Sequence, residues 1–94
     1  MVARAVDTDA NGLKALASAV AAKPGHLVVL VSTSVPALVV VARSSDVGVS
    51  AQQLLASLLA TFGGRGGGRP DFAQGGGLAA PSADAILQAA TRDL

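Results

Sequence analysis

Residues 26–43 read HLVVLVSTSVPALVVVAR and form the most apolar stretch of the chain. The stretch is shorter than the roughly 20 residues that a membrane-spanning helix requires, and polar residues and Pro36 interrupt it. It is better interpreted as two strands, over 26–32 and 37–43, joined as an antiparallel hairpin. Because both strands are almost continuously apolar, we expect other elements to cover both faces of the sheet.

The segments before this hairpin predict a strand and a helix. Residues 2–6 alternate around Arg4 and suit a short strand at a sheet edge. From Asp9 the spacing changes to that of a helix, which Lys23-Pro24-Gly25 ends. The predicted apolar stripe of this helix consists of Leu13, Leu16, Ala17 and Val20.

The segments after the hairpin predict two further helices. Ser50-Ala-Gln-Gln53 matches a capping box at a helix start, and Gly63 suits the helix end. Ser82, as N-cap, and Asp84, which complements the helix dipole, begin the last helix. The predicted apolar stripes are Leu54, Leu55, Leu58, Leu59 and Phe62 in the first, and Ile86, Leu87 and Ala90 in the second. The element order predicts an α/β fold, a small mixed β-sheet with helices packed on it, in a single domain over residues 1–94.

Composition limits the functional classes. The chain has 94 residues, 51% hydrophobic and 14% charged, with a net charge of +1. This charge argues against a nucleic-acid binder that works by bulk charge alone, so any contact with a polyanion must be local. The absence of cysteine excludes disulfides, thiolate zinc sites and a Cys nucleophile. With no signal peptide at Met1, a cytoplasmic location is the expectation.

The candidate catalytic residues form no cluster in the sequence. His26 is the single histidine, and the six Asp residues are scattered over helix starts and loops. An acid/base or metal site needs partners that these spacings do not supply. We therefore expect no catalytic residue, no metal site and no cofactor, and a chain that is not an enzyme on its own.

Residues 63–77 read GGRGGGRPDFAQGGG and hold eight of the eleven glycines. The passage predicts a glycine loop, with a further strand over 72–75. It satisfies neither the P-loop pattern nor GxGxxG, so a nucleotide site of either kind is not expected. A flexible linker is the simple alternative, but arginines, Pro70 and Phe72 are interleaved with the glycines. Asp71 is expected to hold an arginine or cap a turn, and Phe72 to anchor the passage to the core, which leaves arginines and backbone amides for an RNA backbone.

The same passage closely resembles the glycine motif near the end of alanyl-tRNA synthetases. The resemblance extends over residues 5–94 and indicates the DHH-associated C-terminal domain of these enzymes or of the long alanyl-tRNA editing proteins. It implies a module that docks on the tRNA elbow, through shape and backbone, and supports aminoacylation and editing in protein biosynthesis. The residues that it places at tRNA, the last two as ordering residues, are Gly64, Arg65, Gly66, Gly67, Gly68, Arg69, Asp71 and Gln74.

The resemblance also implies partners and leaves alternatives open. The expected partners are tRNA and the remainder of a larger parent protein, with no membrane. Residues 1–94 do not include the long helix that usually precedes this domain in the family and supports dimerisation, so a weak homodimer is the expectation. One alternative is the substrate-binding lobe of a DHH-type phosphoesterase, although no histidine lies near the glycines. The other is a protein interaction or dimerisation domain in which the glycines permit close backbone packing.

Overall fold

The computed structural model describes residues 2–7, 10–22, 25–33, 37–44, 48, 50–78 and 83–92. Strands and helices follow one another along the chain in an order close to that predicted. The elements are β1 (Val2–Val6), α1 (Ala10–Ala21), β2 (Leu27–Ser32), β3 (Ala37–Arg43), α2 (Ala51–Phe62), β4 (Arg65–Arg69), β5 (Phe72–Leu78) and α3 (Ala83–Arg92).

The described residues form a five-stranded sheet in the order β1-β2-β3-β5-β4. β1 pairs with β2 in parallel, and the other neighbouring strands are antiparallel. A parallel pair needs a crossover connection, and α1 provides it between β1 and β2. The mixed sheet with helices packed on it confirms the predicted α/β class, and the hairpin of β2 and β3 lies at its centre.

The side chains of β2 and β3 are divided between two apolar clusters, one on each face of the sheet. On one face, Val29, Val31, Val39 and Val41 pack with residues of α2 and α3. On the other face, Val28, Leu30, Val40 and Ala42 pack with Leu13 and Ala17 of α1. Because successive side chains of a strand point to opposite faces, both faces are covered by helices, as the continuous apolarity predicted.

The apolar stripe of α1 is narrower than predicted. Leu13 and Ala17 are fully buried, whereas Leu16 is 46% exposed, so its predicted place in the stripe is wrong. At about 100° per residue, Leu16 lies roughly 60° around the helix from Leu13, on the side away from Ala17. Since α1 packs mainly on β2 and β3, it buries a narrow stripe, and Leu16 is left at the border.

The ends of α2 follow the sequence signals. The Ser50 hydroxyl accepts a hydrogen bond from the backbone N–H of Gln53 at 3.3 Å, which confirms the predicted N-cap. Gly63 ends the helix with a positive φ of 81°. Three leucines of the predicted stripe are buried, and Leu59 and Phe62 pack partly against the same cluster. The predicted N-cap at Ser82 and the predicted helix stop at 23–24 lie outside the described residues.

The glycine-rich passage is a β-hairpin, so the predicted loop is wrong. β4 and β5 pair antiparallel, and the predicted strand over 72–75 is confirmed and extends to Leu78. Between the pairs Ala37–Leu78 and Val39–Gly75, β5 contains one more residue than β3. Because of this bulge, with Gly77 at φ +73°, Gly75 faces Leu55 and Leu59 of α2, and Leu78 lies on the same side in the cluster with α2 and α3. Glycine has weak strand propensity, so tertiary pairing and not local preference forms this hairpin.

Candidate nucleic-acid interface

Two backbone hydrogen bonds fix the turn of the hairpin. The C=O of Pro70 accepts from the N–H of Ala51 at 2.8 Å, at the start of α2. The C=O of Asp71 accepts from the N–H of Arg43 at 2.9 Å, at the end of β3. The hairpin is therefore held at its tip by two neighbouring elements, which is not the behaviour of a flexible linker.

Close backbone packing explains three alternate glycines, one just before β4 and two within it. A Cβ atom on Gly64 would lie 2.5 Å from the carbonyl oxygen of Gly76, and one on Gly66 would lie 2.5 Å from the Cα of Gly75. On Gly68, a Cβ would lie 2.6 Å from the Cα of Ala73. Because these contacts are with backbone atoms that cannot move aside, any side chain at the three positions would separate β4 from β5.

Gly67 has different surroundings from these three glycines. No atom of the described residues lies within 4 Å of a Cβ built on it, and its φ is not positive. Its backbone conformation and its surroundings would therefore accept a side chain. The absence of one leaves the surface above the strand flat and open.

The strand register places the arginines of β4 on the α1 face of the sheet. Arg65, Gly67 and Arg69 pair with Gly76, Gln74 and Phe72 of β5. Phe72 packs against the apolar cluster of α1, and Gln74 pairs with Val40 of that cluster. Directly paired residues point to the same face, so both arginines and Gln74 lie on the side of the sheet that carries α1.

On this face α1 covers β2 and β3 but leaves the hairpin open, and a groove of about 440 Å³ runs between them. Leu13 and Lys14 of α1 form one wall, and Arg65 and Gly67 of β4 form the other. The floor consists of residues from β3 and β5, namely Leu38, Val40, Gln74 and Gly76. Val39, Gly75 and Gly66 also border the groove, although they face the other side of the sheet. We call this feature the hairpin groove.

The charged side chains of the hairpin groove are both basic. Lys14 is half-buried and Arg65 is exposed on the opposite wall. Among the described residues that line the groove there is no Asp. The apolar part of the floor includes Leu38, whose Cδ2 would lie 2.9 Å from a Cβ on Gly76. Leu38 thus occupies the space that a side chain at position 76 would need.

At the tip of the hairpin, the structure confirms the predicted contact between Asp71 and an arginine. Asp71 Oδ1 lies 3.6 Å from Arg69 Nε, with the two side chains 58% and 77% exposed. An exposed pair of this kind stabilises a fold by at most about 1 kcal/mol, so Arg69 remains accessible to a ligand. Phe72 is half-buried against the core, which agrees with its predicted anchoring role.

The eight predicted site residues, six for contact with tRNA and Asp71 and Gln74 as ordering residues, divide into three sets in the structure. Arg65, Gly66, Gly67 and Gln74 line the hairpin groove, Arg69 and Asp71 lie at the tip, and Gly64 and Gly68 pack closely on β5. Sequence reasoning missed Lys14 and Leu38, which also line the groove. Lys14 lies beside the apolar stripe of α1 and about 50 residues before the hairpin, so no local motif connects the two.

His26 lies just before β2, opposite Ser44, at the open end of the hairpin that β2 and β3 form. Its N–H donates to the Ser44 hydroxyl at 3.1 Å, and its C=O accepts from the Ser44 N–H at 2.8 Å. This backbone exchange joins the start of β2 to the end of β3, which agrees with a structural position for the residue. Within the described ranges, no three His or Asp side chains are grouped as metal ligands. No helix in the described part of the chain is long and apolar enough to span a membrane.

The fold and the hairpin groove define a class: a small mixed α/β unit that presents a basic groove beside a glycine-rich edge hairpin. The DHHA1 domain matches residues 1–94. This chain belongs to the DHHA1 domain family.

Relatives of this chain are alanine–tRNA ligases from bacteria. The protein of Thermosynechococcus vestitus is 44% identical over 84 residues, which cover 82% of this chain and 9% of the relative. The protein of Acidothermus cellulolyticus is 39% identical over 99 residues, covering 96% of this chain and 11% of the relative. That of Pseudomonas entomophila is 36% identical over 91 residues, covering 93% and 10%. The chain therefore spans about a tenth of the length of these relatives.

A solved structure shares the fold. The C-Ala domain from Aquifex aeolicus alanyl-tRNA synthetase matches with a TM-score of 0.80 and 23% identity, over 93% of this chain and 83% of that chain. At this identity the likeness concerns the fold alone.

Proposed function

We propose that this chain is the tRNA-binding C-terminal module of an alanine–tRNA ligase and has no active site of its own. In this role it docks on the elbow of tRNA, where the D and T loops meet, and supports aminoacylation and editing by its parent protein. The supporting observation is the hairpin groove, which is flanked by cations on an open face of the sheet. The alanine–tRNA ligases among its relatives favour this parent over a free-standing editing protein.

The chemistry of the hairpin suits an RNA backbone. Guanidinium groups bind phosphates with two parallel hydrogen bonds, and Arg65 and Arg69 are both exposed on one face. The two residues lie four positions apart in one strand, which corresponds to about 13 Å. The flat glycine strand between them lets a sugar-phosphate backbone approach without meeting side chains. Recognition by shape and backbone follows, since few aromatic side chains are present for base stacking.

Alanine substitution of the two arginines tests this proposal. We expect Arg65→Ala and Arg69→Ala each to weaken binding of tRNA by about two- to fivefold, as for exposed charge pairs, and the double variant by about tenfold. Arg4→Ala is the matched control, because Arg4 is an exposed arginine on β1, four strand spacings or about 19 Å from β4. Fluorescence anisotropy with labelled tRNA at low salt measures the dissociation constants. Equal affinity of the double variant and the unchanged protein would contradict the proposal.

One observation favours a second function, that of an interaction domain. In the part of the chain that the structure describes, β4 is an edge strand with one side unpaired. An open edge can pair with a strand of another protein. Antiparallel pairing of two copies centred on Gly67 would place Arg65 opposite Arg69, so like charges oppose a homodimer through this edge. If the double variant binds tRNA as well as the unchanged protein does, but no longer binds a partner protein, the function of an interaction domain is supported instead.

A further inference from the structure

The hairpin groove combines features that suit a single nucleotide. Its volume of about 440 Å³ lies in the range of pockets for small ligands. A ribonucleotide presents an anionic phosphate, an apolar face of its base, and polar edges on base and ribose. A complementary site needs a cation, an apolar surface and a hydrogen-bonding side chain within one cavity.

The two basic side chains supply the charge from different elements. Lys14 comes from α1 and Arg65 from β4, so they approach the groove from its opposite walls. With no Asp among the described lining residues, the attraction for an anion is not offset within the groove. A phosphate that enters the groove would therefore meet cations on both sides.

The floor supplies the other two features. Leu38, which is half-buried, offers an aliphatic surface, and the missing side chain at Gly67 leaves room above it. Gln74 is exposed on the same face, next to Gly67 in the strand register. Its amide carries both donors and an acceptor, so it can pair with a base edge or with a ribose hydroxyl.

We infer that the hairpin groove holds one unstacked nucleotide of the bound RNA, with Lys14 as a phosphate-binding residue that lies outside the glycine-rich hairpin. This inference rests on the proposed tRNA-binding function. It adds a contact from α1, through Lys14, and it states which part of the RNA lies in the groove. The base lies against Leu38 above Gly67, Gln74 contacts a polar edge, and the phosphate lies between Lys14 and Arg65.

Variants on the two walls test this inference with labelled tRNA as the probe. We expect Lys14→Ala to weaken binding by about two- to fivefold, and to reduce the salt dependence by about 0.7–0.9 in log–log slope, the value for one phosphate contact. Lys14→Arg keeps the charge and should retain most of the affinity. Arg4→Ala removes the same charge on β1, four strand spacings or about 19 Å from β4, and should change the affinity by less than about twofold.

Filling the groove provides a second, independent test. Gly67→Val adds a side chain where no described atom lies within 4 Å, so the variant is expected to fold. Gly48→Val is the matched control, because position 48 is also open, exposed and without a positive φ. We expect Gly67→Val to weaken tRNA binding by at least fivefold and Gly48→Val to leave it unchanged, with melting curves that confirm folding of both.

The outcomes separate this inference from the proposed function. Weaker binding by both Lys14→Ala and Gly67→Val, with unchanged controls, supports the nucleotide site. If Arg65→Ala weakens binding while Lys14→Ala and Gly67→Val do not, the groove is not the site, and tRNA docks on the hairpin without it. If the unchanged protein binds no tRNA at low salt, both the inference and the proposed function are overturned.

Discussion

Gly66 and Gly67 are adjacent in β4 but meet different surroundings. A Cβ on Gly66 would collide with the backbone of β5, and one on Gly67 would meet no atom of the described residues within 4 Å. The two residues therefore have different structural roles, although both are glycines. At Gly66 the absence of a side chain keeps two strands together, and at Gly67 it keeps a groove open.

Alanine substitution at these two positions should distinguish the two structural roles by their effect on stability. We expect Gly66→Ala to lower the free energy of unfolding by about 1–3 kcal/mol, because β4 must shift away from β5. Gly67→Ala should leave it unchanged or raise it by up to about 1 kcal/mol, since alanine restricts the unfolded chain. Urea denaturation followed by circular dichroism measures both values. Equal destabilisation by the two substitutions would contradict the close packing of β4 on β5.

At the scale of the element, α2 joins the hairpin to the rest of the sheet. Its N-terminal residue Ala51 donates to Pro70 of the hairpin turn, and Ser50 caps the same helix end. Its side chains Leu55 and Leu59 lie 3.2 and 3.3 Å from the place of a Cβ on Gly75. A change at the start of α2 should therefore affect the hairpin as well as the helix.

Removing the cap tests how much this start of α2 contributes to stability. Ser50→Ala should lower the free energy of unfolding by about 1 kcal/mol, the usual loss when an N-cap hydroxyl is removed. Ser18→Ala is the matched control: Ser18 is exposed inside α1, where alanine is the better helix former, so stability should stay equal or rise slightly. Thermal unfolding of the two variants measures the difference. If Ser50→Ala and Ser18→Ala had the same melting temperature, the expected contribution of the cap would be contradicted.

Most elements were predictable because their signals are local. The apolar runs of β2 and β3, the helical spacing of Leu54 and Leu58, and the cap at Ser50 each depend on neighbouring residues. The hairpin of β4 and β5 was not predictable as a whole, since glycine has no side chain to give a strand pattern and the pairing of β4 depends on β5. The turn at Pro70-Asp71 and the strand at Phe72 were its usable local signals.

The site itself was predictable in part, for a related reason. Motif resemblance selected the glycines and arginines of the hairpin, whereas Lys14 and Leu38 reach the groove through the sheet order. That order places β5 beside β3 and leaves α1 at the side of the hairpin. Residues that are far apart in the chain therefore lie together in the hairpin groove, and their spacing along the sequence does not predict this contact.

At the scale of the whole molecule, helix coverage of the sheet is unequal. α2 and α3 together pack against strands from β1 to β5 on one face, while α1 covers the middle of the other face. The uncovered part of that face carries Arg65, Arg69 and the hairpin groove. A net charge of +1 therefore coexists with a local basic surface, which fits a docking module that contacts few phosphates.

The central claim is that this surface docks on the tRNA elbow, and the most direct measurement is a titration with three RNAs. These are tRNA(Ala), an unrelated tRNA and a tRNA that lacks its elbow, each measured over a series of salt concentrations. We predict equal binding of the two complete tRNAs, with a slope of log affinity against log salt of about −2 to −3 for three cations, and much weaker binding without the elbow. Equal binding of the RNA without an elbow, or no binding of any RNA at low salt, would contradict the claim.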